Sequence, residues 1–215
     1  MKRAVRKFYT LVEIMTVIVI AAILFGIGIP AFTTMIQGSN MTVAIRQLSA
    51  KIQAARAYAV TNRCKVAVLL PEVVENSGGT KKDDCCYSAY RVCIVYKDST
   101  DNKYKFQEWI EDENWKTLPK GVLRKTVTYT TPVYNIDATD IGGKITDYPA
   151  IICNSKGQLD ETSNKPVITL RQGRFVNDSL LSTERNGDGK IISHPIEIDQ
   201  HSGKVKVKDI TESDS

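Results

Sequence analysis

The stretch YTLVEIMTVIVIAAILFGIGIP, residues 9–30, is apolar at nearly every position, yet it carries Glu13 near its start and Pro30 at its end. No residue from 14 to 29 is charged. A helix needs about 20 apolar residues to cross a bilayer, and residues 9–12 and 30–32 extend the run to that length. The flank ahead of it, MKRAVRKF, holds Lys2, Arg3, Arg6 and Lys7, and such a basic flank stays on the cytoplasmic side. A secretory signal would close on small residues and be removed whole. FGIGIPAF does not read that way, so the apolar segment is expected to stay on the mature chain. A carboxylate inside such a segment costs about 3 kcal/mol at the centre and less towards the interface, so an ionisable group there is a functional candidate that wants a partner. Glu13 is therefore the first candidate site residue.

Gly26, Gly28 and Pro30 are expected to break or loosen the helix locally. The helical pattern then resumes. Ile45, Leu48, Ile52, Ala55 and Ala59 follow the i, i+3, i+4 spacing of one apolar stripe, with Arg46, Gln53, Arg56 and Asn62 on other faces. The spacing predicts helix from about residue 10 to 62, with a membrane-spanning part at 9–32 and an amphipathic continuation at 33–62. Two helices separated at Pro30 are the alternative. After Asn62 the period changes to two. KVAVLL at 65–70 reads as a strand, and YSAYRVCIVY and KYKFQEWI read as a hairpin around KDSTDN. VLRKTVTY, YPAIIC, KPVITL, HPIEID and KVKVKD add further strands, separated by clusters of Gly, Asn, Asp and Pro. The expected fold class is α+β: a long N-terminal helix docked on an all-antiparallel β domain at 63–215.

The 215-residue chain has a formal net charge of +5, and loss of residues 1–8 with their four basic residues leaves +1. A near-neutral exported part argues against bulk electrostatic binding of nucleic acid. There are five cysteines: Cys64, Cys85, Cys86, Cys93 and Cys153. Outside the cytoplasm, bridges form and persist, and the odd count leaves one thiol over. Cys93 is near enough in sequence to close a small loop with Cys85 or Cys86. The Cys85–Cys86 pair has neither zinc-motif spacing nor a nearby His.

The N-terminal residues resemble those of type IV prepilins and type II secretion pseudopilins. That family has a short basic leader, a cut before an aromatic residue, then Glu, an apolar helix and Pro at fixed spacings. With Tyr9 as the first mature residue, Glu13 is the fifth and Pro30 the twenty-second, as in the family. The residue before the cut is Phe8, where the family has Gly. The resemblance implies a leader at 1–8, cleavage by a prepilin peptidase between Phe8 and Tyr9, and methylation of the new amine. It implies that Glu13 pairs with the amine of an adjacent subunit, and that the partners are other pilins or pseudopilins, the inner-membrane assembly platform and membrane lipid. It places the chain in a bacterial inner membrane as a single-pass protein, with its C-terminal domain in the periplasm or in a pilus or pseudopilus. IRQLSAKIQAARAYAVTNRCKVAVLL at 45–70 is similar to the helix-to-strand junction of the GspH/FimT group of minor pilins, with Ala55 and Arg56 in the place of that group's Ala-Arg pair. TLPKGV, IICNSKGQ and IEIDQHSGKVKV resemble later segments of that group, in order. VVENSGGTKKDDCCYS and DATDIGGKITD read as insertions.

An enzyme is not expected. There are two histidines, His194 and His201, and no Gly-x-Ser-x-Gly, P-loop or His-Glu-x-x-His motif. No cofactor is expected either, and the one metal candidate is calcium at Glu184, Asn186 and Asp188 in ERNGDGKI. The position where a bidentate acid would close such a loop is Pro195. NGDG also suits a solvated turn. KVKVK puts Lys204, Lys206 and Lys208 on one strand face and Val205 and Val207 on the other. That face is either solvated or a phosphate-binding stripe for DNA, as in some minor pilins of the group. The alternative function is thus an anchored module that recognises DNA or an exported substrate.

Overall fold

The computed structural model of the chain describes residues 10–75, 79, 81, 85–141, 145–160, 165–176, 179–185, 187–208 and 211–213, with backbone alone at 27–38, 141 and 211–213. The leader, Phe8, Tyr9 and Asn186 lie outside the described residues. Contacts divide the chain into two units, Met1–Ser39 and Asn40–Ser215.

One helix, α1, covers Leu11–Asn62. Helical backbone continues through Gly26, Gly28 and Pro30, so the expected break is corrected. A proline removes one N–H and crowds one carbonyl, a local loss that a helix survives when its neighbouring turns keep their bonds. In the first unit, the apolar side chains described from Leu11 to Phe25 are nearly all exposed. Among the described residues no helix is long and apolar enough to cross a membrane. The expected span at 9–32 runs beyond the described side chains, which stop at Gly26 and resume at Ser39. The described apolar run is therefore shorter than the about 20 residues that a crossing needs.

The second unit is built on the later part of α1. Met41, Ala44, Leu48, Ile52, Ala55 and Ala59 are buried along one stripe, and Ile45 sits at its edge. The helix ends at Arg63, whose φ of 53° is left-handed. Cys64 N donates to Ala59 O at 3.2 Å and closes the last turn.

Among the described residues twelve strands follow. β1 (Lys65–Leu69), β2 (Ala89–Lys97), β3 (Tyr104–Trp109), β4 (Lys116–Thr117), β6 (Thr131–Ile136) and β7 (Thr146–Cys153) form one sheet. β5 (Val122–Thr128), β8 (Val167–Val176), β10 (Ile191–Ile198) and β11 (Val205–Val207) form a second. β9 (Ser179–Ser182) pairs with β8, and β12 (Thr211–Ser213) with β10. The first sheet closes on itself in the order β1-β7-β6-β3-β2, because β1 also pairs with β2. The expectation of an all-antiparallel domain is corrected here, since β3 and β6 run parallel, with Tyr104 opposite Val133 and Lys105 opposite Tyr134. The chain leaves β3 for β4 and β5 before it returns as β6, and that excursion lets it come back in the same direction.

This closure explains why VAVLL, residues 66–70, is apolar throughout. Val66, Val68 and Leu70 pack in the cluster that holds the α1 stripe, together with Ile168, Leu170, Ile196 and Ile198 of the second sheet. Ala67 and Leu69 turn the other way, into a cluster with Cys93, Val95, Tyr104, Val133, Ile136 and Ile152. A strand buried on both faces carries no polar alternation. The β2–β3 hairpin follows the expected turn, with Asn102 at a φ of 57° and Asp98 Oδ1 accepting from Thr100 N at 2.8 Å.

Candidate functional site

Glu13 lies in the first turn of α1, and its backbone N–H donates to Thr10 Oγ1 at 3.2 Å. Thr10-Leu11-Val12-Glu13 is thus a Thr-x-x-Glu start, in which the threonine caps the helix and the acid favours its positive end. The charge reading of Glu13 passed over this local role, although the spacing was visible in the sequence. Around Glu13 the surface is hydrocarbon: Leu11, Val12, Ile14 and Met15 are all more than half exposed. The arrangement offers a carboxylate on an uncovered apolar rod, suited to a cationic partner in a lipid or helix-packed setting.

Arg56, which the sequence comparison placed beside Ala55, joins two turns. Its Nε donates to Gly157 O at 2.8 Å. A Cβ on Gly157, at φ +77°, would meet Arg56 Nε at 2.9 Å. A Cβ on Gly203, at φ +62°, would meet Arg56 Cδ at 2.7 Å and Gly157 O at 2.9 Å. The glycines of IICNSKGQ and IEIDQHSGKVKV therefore leave room for one helix side chain, and Arg56 is a packing residue.

A cation–aromatic cluster went unseen in the sequence. Arg91 stacks 3.6 Å from the Trp109 ring centroid, donates through Nε to Glu113 O at 2.9 Å, and pairs with Asp140. Trp115 Nε1 donates to Asp140 at 2.9 Å. Lys51 of α1 reaches Glu113 at 2.6 Å. Beside this cluster lies an open cleft of about 640 Å³, bounded by Gln47, Ala50, Lys51 and Ala54 on α1 and by Tyr90, Trp115, Lys116 and Thr117. Only the tertiary fold brings these separated residues together, so no local motif announces them.

The expected disulfide partners are not joined. Cys85, Cys86 and Cys93 fall in three different apolar clusters. Cys93 lies in the cluster inside the closed sheet, with Ala67, Leu69 and Tyr104. Burial pushes the Cys153 thiol up to about 11 and moves Cys93 in the same direction. Among the described residues no group of three or more His, Cys, Asp and Glu gathers as a metal site. Of the calcium candidates, Glu184 faces His194 at 3.5 Å and Asp188 is exposed. The lysine stripe is divided: Lys208 pairs with Glu197, which also holds Lys165 at 3.2 Å, while Lys204 and Lys206 are exposed. The other face is less buried than expected, since Val207 is 55% exposed.

No family model and no curated protein matches the chain. Among solved structures, it is similar to two crystal forms of the type IV minor pilin FimU of Pseudomonas aeruginosa. These align over 80% and 78% of this chain and 90% and 92% of theirs, each at 13% identity, with TM-scores of 0.42 and 0.38. It is also similar to the minor pseudopilin EpsH of the Type 2 Secretion System of Vibrio cholerae, over 78% of this chain and 94% of that one, at 10% identity and a TM-score of 0.37.

Proposed function

We propose that the chain is a minor pilin or pseudopilin subunit, anchored in the inner membrane and assembled through its N-terminal helix into a type IV pilus or type II secretion pseudopilus. The observation that carries this reading is the uncovered apolar surface from Leu11 to Phe25 with Glu13 set within it. Contiguous exposed apolar surface of this kind marks a membrane or protein contact. Lipid covers it before assembly, and neighbouring helices cover it afterwards. On this reading a prepilin peptidase cuts between Phe8 and Tyr9, the new amine is methylated, and it meets Glu13 of the adjacent subunit. Two charged groups that are each costly in an apolar medium gain by pairing there. The chain then has a structural role and no catalytic one. The described surface does not favour the alternative of a DNA- or substrate-recognising module: Lys208 is engaged, and Lys204 and Lys206 share a cleft with Glu197 and Asp199.

The test separates the two roles of Glu13. Glu13→Gln preserves a Thr-x-x-Gln start but removes the charge, whereas Glu13→Ala removes both. Cells are fractionated for membrane-bound and filament-associated protein. Both variants are expected in membranes, and both are expected to be absent from filaments. If Glu13→Gln enters filaments as well as the wild type does, Glu13 is a helix cap and the assembly contact lies elsewhere.

A further inference from the structure

Of the residues from Leu11 to Gly26, two have polar side chains, Glu13 and Thr16, and Thr10 stands just ahead of them. The three are three residues apart, which at 3.6 residues per turn puts them within an arc of about 120° on one face of α1. Side chains at such a spacing are neighbours, with Cβ atoms about 5–6 Å apart. Thr10 is committed to the helix start, where its Oγ1 accepts from Glu13 N. Thr16 is exposed, one turn beyond Glu13. Its hydroxyl donates to Val12 O at 2.8 Å, with Glu13 O at 3.0 Å sharing the proton. A threonine hydroxyl has one proton and two acceptor lone pairs, so Thr16 turns acceptor capacity outwards. A helical side chain leans back over the turn before its own Cα, and this brings Thr16 Oγ1 towards the level of Glu13. The carboxylate accepts only. Side by side on hydrocarbon, Glu13 and Thr16 therefore offer a negative charge and a second acceptor, with no free proton between them. That chemistry fits a cation with several N–H donors.

We propose that Thr16 is the second acceptor of the site that receives the amine of an adjacent subunit, so that the ammonium is held between the Glu13 carboxylate and Thr16 Oγ1. The inference rests on the assembly role proposed for Glu13 and adds a residue to that site. An ammonium carries more N–H donors than one carboxylate oxygen can take. In an apolar setting a polar group left without a hydrogen bond is costly, and Thr16 removes part of that cost. Threonine hydroxyls bond between helices in membranes in this way. Glu13 supplies the charge, and Thr16 fixes where along the helix the amine sits.

Thr16→Val keeps the branched shape and removes the hydroxyl, whereas Thr16→Ser keeps the hydroxyl. Both are made in the full chain, and cells are fractionated for membrane-bound and filament-associated protein beside the wild type and Glu13→Gln. Both Thr16 variants are expected in membranes at the wild-type level. Thr16→Val is expected to lower filament-associated protein about three- to tenfold, the scale of one interhelical hydrogen bond. Thr16→Ser is expected to restore it. Far-UV circular dichroism in detergent should give the same helical signal for all of them. If Glu13→Gln stays out of filaments while Thr16→Val enters them as the wild type does, the inference about Thr16 falls and the assembly role of Glu13 stands. If Thr16→Ser assembles no better than Thr16→Val, or if Thr16→Val loses helical signal, side-chain shape or helix geometry is the cause, and the inference falls as well. Wild-type assembly of Glu13→Gln removes the assembly role itself, and Thr16 with it.

Discussion

At the scale of single residues, the best-defined junction is Arg56 between Gly157 and Gly203. Its guanidinium bond to Gly157 O is part-buried, and removal of such a bond costs on the order of 1 kcal/mol. Arg56→Ala is therefore expected to lower stability by roughly 1–2 kcal/mol, packing included. Gly157→Ala places a methyl group against Arg56 Nε and Val60 Cγ2, at 2.9 and 3.0 Å, on a backbone with φ of +77°. The two substitutions should not add. Once Arg56 is shortened, part of the crowding at residue 157 disappears, and only the φ penalty and the Val60 contact remain. A double-mutant cycle by urea denaturation should show a coupling of about 0.5 kcal/mol or more. Strict additivity would mean that Arg56 does not occupy the space the glycines leave.

At the scale of elements, α1 stops in an unusual way. The closing bond from Cys64 N to Ala59 O follows the Schellman pattern, which favours Gly at the left-handed position. Here that position is Arg63, at a φ of 53°. A side chain in this conformation costs about 1–2 kcal/mol, part of which glycine gives back through its own entropy loss. Arg63→Gly is expected to stabilise the domain by about 0.5–1 kcal/mol. Its thermal midpoint should rise by about 2–4 °C. A fall in the midpoint would show that the Arg63 side chain makes a contact worth more than the strain. The strands teach a related lesson. β1 was legible because VAVLL after Lys65 is apolar on both faces, and both faces are buried. β6, TPVYNI, was not legible, because an irregularity between Val133 and Ile136 sets its buried residues three apart and breaks the alternation of two. Only the pairing of β6 with β3 and β7 makes it a strand.

At the scale of the whole molecule, stability should fall at both extremes of pH. Lys105 and Thr100 hold the Asp98 carboxyl down at about 2. Burial pushes Asp160 up, but Lys65 and Tyr104 outweigh it and keep that carboxyl below its ordinary range. Lys208 and Lys165 do the same for Glu197. These lowered groups contribute stability above the unfolded carboxylate range near pH ~4, and the contribution is lost as pH falls towards about 2. At the other end, burial raises Cys153 to about 11 and Tyr148 to about 12. A raised thiol contributes fully below its unfolded value near ~8.5, and the contribution is lost as pH rises through the folded value. Urea midpoints from pH 2 to 11 are expected to form a plateau that drops at both ends. A midpoint that rises below pH 4 would contradict the acid pairs. The sequence by itself determined the long helix, its apolar first part and the position of Glu13. It also determined the α1 stripe and the main strands, because each of these is a local periodicity or a short spacing that solvent reads residue by residue. It did not determine the parallel β3–β6 pair, the closure of the first sheet, the separation of Cys85, Cys86 and Cys93, or the Arg91–Trp109–Asp140 cluster. Those depend on which distant strands meet, and that choice is made by packing the two faces of β1 at once, a constraint that exists only when the whole chain has folded.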